Sequence, residues 1–408
     1  MTQSTLRELP VRSYMMAFKG VTAILPFRWP QVLEGEGSLA DLASHLQQQG
    51  FNRVLLVTDT AITQLGLLQP FVGSCAQLGI NVDIFDAVKP DPTFAIIEAG
   101  TELAKREKCQ AVVAIGGGSV IDAAKLIGAC ALTDRPLRKM AGLFKVRKGM
   151  LPLFAVPTTA GTGSEATIAA VVTDPEAQQK LTVLDLKLMP TMAVLDPLLT
   201  VNLPAPITAA TGMDALTHAV EAYLSRNALM RTDELALKAA RLINTWLPKA
   251  YACDGHLEAR SHMAKAAMLA GQAFTQAGVG YIHAIAHNLG ARYQVPHGLA
   301  NAIVMPHLLR FSLSHSAVRM AQLARVMGLS AQNGHQDDAA MAAALVERVE
   351  QLNERFAIPT YVEQLVVEDI PAIVKAARAE ARFTYAVPRY MSQAEGEQLL
   401  KALLPPSP

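Results

Sequence analysis

A carboxylate and several histidines occur in two compact clusters in the second half of the chain. Asp214 and His218 are four residues apart in the segment GMDALTH. His283 and His287 repeat that spacing in YIHAIAH, and His297 follows in VPHG. In a helix, residues four apart project from one face. One carboxylate with three imidazoles offers ligands that suit Fe²⁺ or Zn²⁺, and affinity order alone does not choose between them. The alternative is a buried hydrogen-bonded network.

A run of three glycines follows the most apolar segment of the chain. Ala111–Ile115 (AVVAI) predicts a buried parallel strand, and Gly116–Ser119 (GGGS) comes directly after it. Glycines let the backbone approach a pyrophosphate, and the helix expected over Val120–Ala131 offers free N–H groups and a positive dipole end. We expect Ser119 to be the N-cap of this helix, with Asp122 in a capping-box position. The alternative is an ordinary turn between strand and helix.

A second polar loop follows the next predicted strand. The segment Pro157–Glu165 (PTTAGTGSE) carries four hydroxyls and two glycines directly after Leu153–Val156. Two such loops at consecutive strand ends favour phosphate and ribose binding over two structural turns. The sequence lacks the GxGxxG fingerprint of the usual dinucleotide fold, so the acidic ribose ligand that accompanies that motif cannot be assigned by its rule.

Short β-branched runs alternate with helical patterns up to residue 205. The predicted strands are Arg53–Thr58, Asn81–Val88, Ala111–Ile115, Leu153–Val156 and Ala193–Leu195. This alternation indicates an α/β domain with a doubly wound parallel sheet. We assign residues 1–205 to this dinucleotide-binding domain, with an N-terminal extension over residues 1–28.

Alanine, leucine and methionine recur at helical spacing after the segment Pro204–Pro206. The predicted helices include Thr208–Leu224, Asp233–Leu247, Glu258–Gln276 and His283–Tyr293, and no further strand is expected. We therefore assign residues 206–408 to an all-α domain that binds metal and substrate. Ligands tend to bind where two domains meet, which is where we expect the active site.

The composition excludes several classes of protein. A net charge of +1 with mixed signs leaves no basic face for nucleic acid. The most apolar window, Ala111–Leu132, contains Asp122, Lys125 and three glycines, so a buried strand and helix fit it better than a membrane span does. The four cysteines show no disulfide or metal spacing, which favours a reducing compartment and a cytoplasmic location.

Four motifs together resemble the iron-containing (group III) alcohol dehydrogenases. They are GGGS at 116–119, PTTAGTGSE at 157–165, GMDALTHAVE at 212–221 and HAIAHNLGARYQVPHG at 283–298. The resemblance is clear over roughly residues 30–330. It implies a dehydroquinate synthase-like architecture, in which an α/β dinucleotide domain and a helical metal domain flank the active-site cleft, and it implies a homodimer or a higher homo-oligomer.

The resemblance also implies a role for individual residues. The implied metal ligands are Asp214, His218, His283 and His297. His287 matches a nearby histidine that does not normally bind metal and is a candidate proton relay. The expected cofactor contacts are Asp59, Asp91, Gly116, Gly117, Gly118, Ser119, Asp122, Thr158, Thr159, Thr162 and Lys180. Phe274 and Ala169 are expected to line a substrate pocket that favours simple apolar alcohols over diols.

Two features bear on the cofactor and on the limits of the resemblance. Asp59 falls where family members place an acidic or a small residue beside the adenosine ribose. A carboxylate there accepts the ribose hydroxyls and repels a 2′-phosphate, so we expect NAD rather than NADP. After about residue 375 the tail keeps only the pair Pro388-Arg389 of the family's ending, and it yields no assignment of pocket residues.

These observations predict a metal-dependent, NAD(H)-linked alcohol dehydrogenase or aldehyde reductase that acts on small primary alcohols or aldehydes. The same scaffold supports a polyol dehydrogenase of the glycerol type, a hydroxyacid–oxoacid transhydrogenase and a maleylacetate reductase. A non-enzymatic cofactor- or metal-binding protein is the alternative from another class, and a lyase of the dehydroquinate synthase type would need a more polar pocket. We expect a small-molecule substrate and no nucleic-acid or membrane partner.

Overall fold

The computed structural model describes residues 11, 13–16, 19–20, 22–176, 179–253, 255–331 and 336–406 of the 408-residue chain. The described residues form two compact units, neither continuous along the chain. The unit here called the sheet unit comprises those of Phe27–Leu203 and Asp254–Gly271. The helical unit comprises those of Met1–Pro26, Pro204–Cys253 and Gln272–Pro408.

The main element of the sheet unit is a six-stranded parallel sheet. The strands of the unit are β1 Gln31–Glu34, β2 Arg53–Val57, β3 Asn81–Phe85, β4 Ala111–Gly116, β5 Gly142–Leu143, β6 Leu153–Pro157, β7 Ala169–Asp174, β8 Gln179–Leu184 and β9 Met192–Leu195. The six-stranded sheet has the order β1-β9-β6-β4-β2-β3, and neighbouring strands are parallel throughout. The predicted parallel α/β fold is confirmed.

Helices cover both faces of this sheet. They are α1 Ser38–Gln48, α2 Thr60–Gln64, α3 Gln69–Gln77, α4 Phe94–Arg106 and α5 Gly118–Ala131. In β2, Val54 and Leu56 belong to a core that includes residues of α1 and α3. The alternate residues Leu55 and Val57 belong to a second core with residues of α4 and α5. Because side chains alternate across a strand, both faces of β2 are apolar, as a doubly wound sheet requires.

Four strands were not predicted. β1 is a short edge strand with mostly exposed residues, so it lacks the apolar run that marks a buried strand. β5, β7 and β8 form a separate small sheet, in which β7 and β8 pair antiparallel. β7 alternates half-buried and buried residues, with Ala170, Val172 and Asp174 inside. The predicted strand over 81–88 ends earlier, at Phe85, after which Ala87 bridges to Asp59.

The helical unit contains long helices rich in alanine. The helices from residue 205 onward are α6 Ala205–Leu224, α7 Met230–Ala252, α8 Leu257–Ala277, α9 Tyr281–Tyr293, α10 His297–Val326, α11 Asp338–Arg355, α12 Ile370–Arg382 and α13 Gln393–Lys401. Residues 257–271 of α8 cluster with the sheet unit. Within the described part of the chain after residue 205 there is no strand, as predicted. None of the described helices is both long enough and apolar enough to cross a bilayer.

Candidate metal and cofactor sites

Four side chains of the helical unit converge on one point. Ligand atoms of Asp214, His218, His283 and His297 all lie within 4.8 Å of one another. Oδ1 of Asp214 lies 3.4 Å from Nε2 of His297 and 3.8 Å from Nε2 of His283. Its Oδ2 lies 3.9 Å from Nδ1 of His218. Three of the four residues are buried, and His297 is partly exposed. We refer to these residues as the four-ligand cluster.

Helix geometry and one glycine bring the cluster together. Asp214 and His218 lie one turn apart on the buried helix α6. His297 is the first residue of α10, and the next residue is Gly298. A Cβ at Gly298 would overlap the carbonyl oxygen of Ala210 in α6 and would lie 3.3 Å from Cβ of Asp214. The absence of a side chain at 298 therefore lets the start of α10 reach α6, which carries His297 to Asp214.

Glu221 holds the first turn of α9 and one histidine of the cluster. Its Oε2 lies 2.7 Å from Nδ1 of His283 and accepts from the N–H of Gly280 at 2.7 Å. Its Oε1 accepts from the N–H of Ile282 at 2.8 Å. Burial raises the pKa of Glu221 to about 8, against these hydrogen bonds, which lower it. A cation at the cluster would favour the charged carboxylate and, with it, a hydrogen on Nδ1 of His283.

Asn301 orients the carboxylate of the cluster. Its Nδ2 donates to Oδ1 of Asp214 at 2.7 Å, and the side chain is fully buried. Sequence reasoning missed both Asn301 and Glu221. The usable signal was helical spacing, because Asn301 lies one turn after His297 and Glu221 lies two turns after Asp214, on the same face.

The donors of the cluster fit a divalent cation. Nε2 of His283 is buried and has no hydrogen-bonding partner among the described residues. Burial, with the neighbouring imidazoles, lowers the pKa of His283 well below its ordinary value, so the ring is neutral and offers a lone pair. A buried carboxylate among neutral imidazoles is a ligand set typical of Fe²⁺ and Zn²⁺ sites.

His287 and Phe274 flank the cluster without belonging to it. The ring of His287 stacks on that of His297 with centroids 5.3 Å apart, and its Nδ1 lies 2.7 Å from Oε1 of Glu380. Phe274 stacks on His218 with a centroid distance of 4.3 Å. The site thus has an apolar ring on one ligand and a partly exposed imidazole on another.

The two glycine-containing loops meet in the sheet unit. Gly116 pairs with Pro157 at the carboxyl ends of β4 and β6, and the N–H of Thr158 donates to the carbonyl of Gly116 at 3.0 Å. A Cβ at Gly118 would lie 2.7 Å from Cγ2 of Thr162. A Cβ at Gly117 would lie 3.6 Å from Oγ1 of Thr159. Backbone and hydroxyl groups are therefore concentrated at the carboxyl edge of the sheet, where such folds bind nucleotides.

The expected capping of α5 is wrong. The N-cap is Gly117, no described side chain caps the helix, and Ser119 lies inside the first turn. Oδ2 of Asp122 accepts from the N–H of Val171 at 3.0 Å, so this carboxylate connects α5 to β7 instead of capping its own helix. The uncapped helix start leaves N–H groups for a phosphate, and the loops fit the pyrophosphate of a dinucleotide.

The remaining cofactor candidates lie around the same unit. Asp59 is the N-cap of α2, and its Oδ1 accepts from the N–H of Ile62 at 2.9 Å. Nζ of Lys180 lies 2.5 Å from Oδ1 of Asp91, so these two residues form an ion pair. Ala169, which was predicted to line the substrate pocket, begins β7 in this unit, and its carbonyl accepts from the buried ammonium of Lys125 at 2.8 Å.

Two family models together match most of the chain. A model described as iron-containing alcohol dehydrogenase matches residues 30–197, and one described as Fe-containing alcohol dehydrogenase family, C-terminal, matches residues 208–404. The chain belongs to the iron-containing alcohol dehydrogenase family. The resemblance seen in the four sequence motifs is confirmed.

Relatives and solved structures agree with that family. The chain is 38% identical over 377 residues to NAD-dependent methanol dehydrogenase from Bacillus methanolicus, covering 92% of this chain and 98% of the relative. It is 36% identical to lactaldehyde reductase from Escherichia coli (strain K12), covering 84% and 90%. The crystal structure of a 1,3-propanediol oxidoreductase matches with a TM-score of 0.89 and 35% identity, over 93% of this chain and all of the other. The fold of this alcohol dehydrogenase family member is thus that of its solved relatives.

Proposed function

We propose that this family member catalyses the NAD(H)-linked interconversion of small primary alcohols and aldehydes at a divalent ion bound by the four-ligand cluster. The observation that carries the proposal is the convergence of one carboxylate and three imidazoles within 4.8 Å. Membership of a family of oxidoreductases makes alcohol oxidation the chemistry to test first.

In this proposal the ion and the nicotinamide supply the reactive groups, and the residues of the chain bind and position them. When bound, the ion supplies Lewis acidity, which lowers the pKa of an alcohol and polarises a carbonyl, and the nicotinamide exchanges hydride at C4. Asp214 and the three imidazoles of the cluster would hold the ion, with Glu221 positioning His283 and Asn301 positioning Asp214. Phe274 shields His218 from water. His287 passes the alcohol proton to solvent, a role that suits a partly exposed imidazole.

The proposal predicts NADH formation that depends on both alcohol and metal. The protein is purified anaerobically, analysed for metal, and assayed with ethanol, 1-propanol and 1-butanol and with the matching aldehydes in reverse. Activity that disappears after chelation and returns with one added metal equivalent is expected. Metal-loaded protein that reduces no NAD with any of these alcohols and reduces none of the aldehydes would contradict the proposal.

Iron is the metal that we propose for the native protein. The name of the matching family favours Fe²⁺, whereas the ligand types suit Zn²⁺ equally. Activity after anaerobic reconstitution with each ion separates them. Higher activity with Fe²⁺ and iron in the protein as purified are expected, and zinc-only activity would overturn the choice.

NAD is the cofactor that we propose, with NADP used poorly. The relative from Bacillus methanolicus is named NAD-dependent, and Asp59 places a carboxylate at the end of β2. A carboxylate beside the ribose repels a 2′-phosphate. The ratio of kcat/KM values for NAD and NADP tests this, and Asp59→Gly should narrow the ratio. Equal efficiency of the wild type with both cofactors would contradict the proposal.

For the substrate we propose simple apolar alcohols in preference to diols. Phe274 presents an aromatic ring against His218 of the four-ligand cluster, and the resemblance implies Ala169 as a further substrate-contacting residue. Comparing kcat/KM for 1-butanol and 1,2-propanediol tests the preference. A clear preference for the diol would overturn it.

We further propose that the protein forms a homodimer or a higher homo-oligomer. We also propose the cytoplasm, a reducing compartment, as its location, which the state of the cysteines supports. The cysteines are free, and two of them, Cys75 and Cys109, are buried. Sedimentation of the purified protein tests the assembly, and a monomer at all concentrations would contradict it.

A further inference from the structure

The C-terminal tail, to which no predicted site residue belongs, contacts the candidate proton relay. Glu380 lies on α12, and its Oε1 lies 2.7 Å from Nδ1 of His287. Tyr385 follows α12, and its hydroxyl donates to the same oxygen at 2.7 Å. An imidazole nitrogen and a phenol hydroxyl therefore meet at one carboxylate oxygen beside the four-ligand cluster. Both Glu380 and Tyr385 belong to the helical unit, as His287 does.

The tail segment that carries Tyr385 is anchored by its own hydrogen bonds. The N–H of Arg226 donates to the carbonyl of Ala386 at 2.8 Å, and the Arg226 guanidinium donates to the carbonyl of Pro388 at 2.8 Å. The N–H of Met391 donates to the hydroxyl of Tyr281 at 3.4 Å. The Arg226 contacts attach the segment to the residues that follow α6, and the Met391 contact attaches it to α9, the helix of His287.

The donor and acceptor types at this oxygen assign the hydrogen of His287. An ionised carboxylate only accepts hydrogen bonds. Burial and the charge of Glu380 raise the pKa of Tyr385 well above its ordinary value, so the phenol keeps its hydrogen and donates it. Nδ1 of His287 must then be a donor as well. In a neutral imidazole with hydrogen on Nδ1, the lone pair is on Nε2.

We propose that Glu380 is a positioning residue for His287: it accepts the Nδ1 hydrogen, fixes the ring in one tautomer and orientation, and leaves Nε2 as the proton-accepting atom, with Tyr385 holding the carboxylate. The proposal rests on the proposed function for its kinetic consequence only. The pair of His287 and Glu380 resembles the pair of His283 and Glu221, but His287 lies outside the four-ligand cluster. A fixed tautomer keeps the basic nitrogen correct in every turnover, where a free ring would divide its population between two forms.

The direct test is nitrogen NMR of protein with ¹⁵N-labelled histidine and bound Zn²⁺, which is diamagnetic. His287→Gln assigns the His287 signals, and the spectra are recorded above the ordinary histidine pKa. In the wild type, Nδ1 of His287 should carry the hydrogen and Nε2 should be bare. Glu380→Ala should abolish this single form, because no acceptor remains for Nδ1. Glu380→Gln should retain it, because the amide oxygen still accepts.

Kinetics then test whether the tautomer matters. Glu380→Ala should lower kcat for alcohol oxidation by about tenfold with little change in KM or metal content, a loss usual for a residue that orients a functional histidine. Tyr385→Phe should have a smaller effect, since the carboxylate still accepts from Nδ1. Glu363→Ala, at an exposed glutamate, is the matched control and should leave kcat and the NMR signals unchanged.

The outcomes are distinguishable from failure of the proposed function. Hydrogen on Nε2 of wild-type His287, or a Glu380→Ala spectrum equal to that of the wild type, would overturn the assignment. A lost tautomer with unchanged kcat would overturn the positioning role. If the wild type neither oxidised an alcohol nor reduced an aldehyde, the proposed function would be wrong, and the NMR comparison would still decide the hydrogen-bond assignment.

Discussion

The candidate cofactor site and the candidate metal site use different chemical groups of the chain. In the sheet unit, the cofactor candidates are mainly backbone groups and hydroxyls at strand ends, and glycines such as Gly116 and Gly118 make the close approach possible. In the helical unit, the metal candidates are side chains from three helices, held by buried partners such as Glu221 and Asn301. A backbone site depends on local conformation, whereas a side-chain site depends on how closely helices pack. Substitutions in one should therefore leave the other intact.

The largest expected effect is the loss of a metal ligand. Asp214→Ala removes the carboxylate of the four-ligand cluster, whose oxygens lie 3.4 to 3.9 Å from a nitrogen of each of the three imidazoles. We expect metal content to fall to near zero and kcat/KM to fall on the order of a thousandfold, because the Lewis acidity is lost. The affinity for NAD, measured by calorimetry, should change little. A variant without metal that kept wild-type activity would break the comparison.

The next largest effect is expected from a substitution at the close contact between α6 and α10. Gly298→Ala places a methyl group against the carbonyl oxygen of Ala210, so the start of α10 and His297 must retreat from Asp214. We expect metal affinity to fall by about 10- to 100-fold, which is the usual loss when the groups that orient the metal ligands are removed. Gly73→Ala is the control, because a Cβ there has nothing within 4 Å. Equal metal affinity in the two variants would contradict the packing argument.

The converse substitution lies in the sheet unit. Gly118→Ala places a methyl group 2.7 Å from Cγ2 of Thr162 and separates the two polar loops. The dissociation constant for NAD should rise by about tenfold, which is the loss of about one hydrogen bond to a charged group. Metal content should stay at the wild-type value. Loss of metal together with NAD binding would mean that the sites are not independent.

The smallest effect concerns the buried acid at the end of the second loop. Burial raises the pKa of Glu165 to about 7 from an ordinary value of 4.5. The folded state thus holds this proton more tightly than the unfolded state, so stability is lost as the pH rises from about 4.5 to about 7. The Tm of Glu165→Gln should therefore rise relative to that of the wild type between pH 5 and pH 7.5, a gain of a few degrees.

The matched control for this titration is Glu102→Gln, at an exposed position of α4. Its Tm difference from the wild type should be the same at both pH values. A Glu165→Gln curve parallel to that of the wild type would show that Glu165 does not titrate in this window.

The features that can be predicted from the sequence are those that depend on one local segment of the chain. β2, β4 and β6 were predicted because a strand buried on both faces is an apolar run. The histidine pairs were recognisable because helical spacing alone puts their members on one face. β7 and β8 were not predicted because the strands of a small, half-exposed sheet do not form a continuous apolar run. Ser119 was wrongly expected to cap α5 because glycine at 117 already ends the loop.

The residues that hydrogen-bond to the site residues, such as Glu380 and Asn301, could not be predicted from the sequence for a different reason. Glu380 meets His287 only through the packing of α12 against α9, and the two residues are separated by 93 positions. Asn301 meets Asp214 only because Gly298 allows close approach. No periodicity in one segment reports such contacts. The assignment of residues 1–205 and 206–408 to separate domains stays a prediction, since the compact units exchange short segments.

The most direct test of the central claim is an anomalous-scattering map of crystals of the metal-loaded protein. We predict one strong peak within about 2.0–2.3 Å of a carboxylate oxygen of Asp214 and of one nitrogen each of His218, His283 and His297. His287 should lie outside this distance. A peak elsewhere, or a site that includes His287 in place of one of the four, would contradict the account.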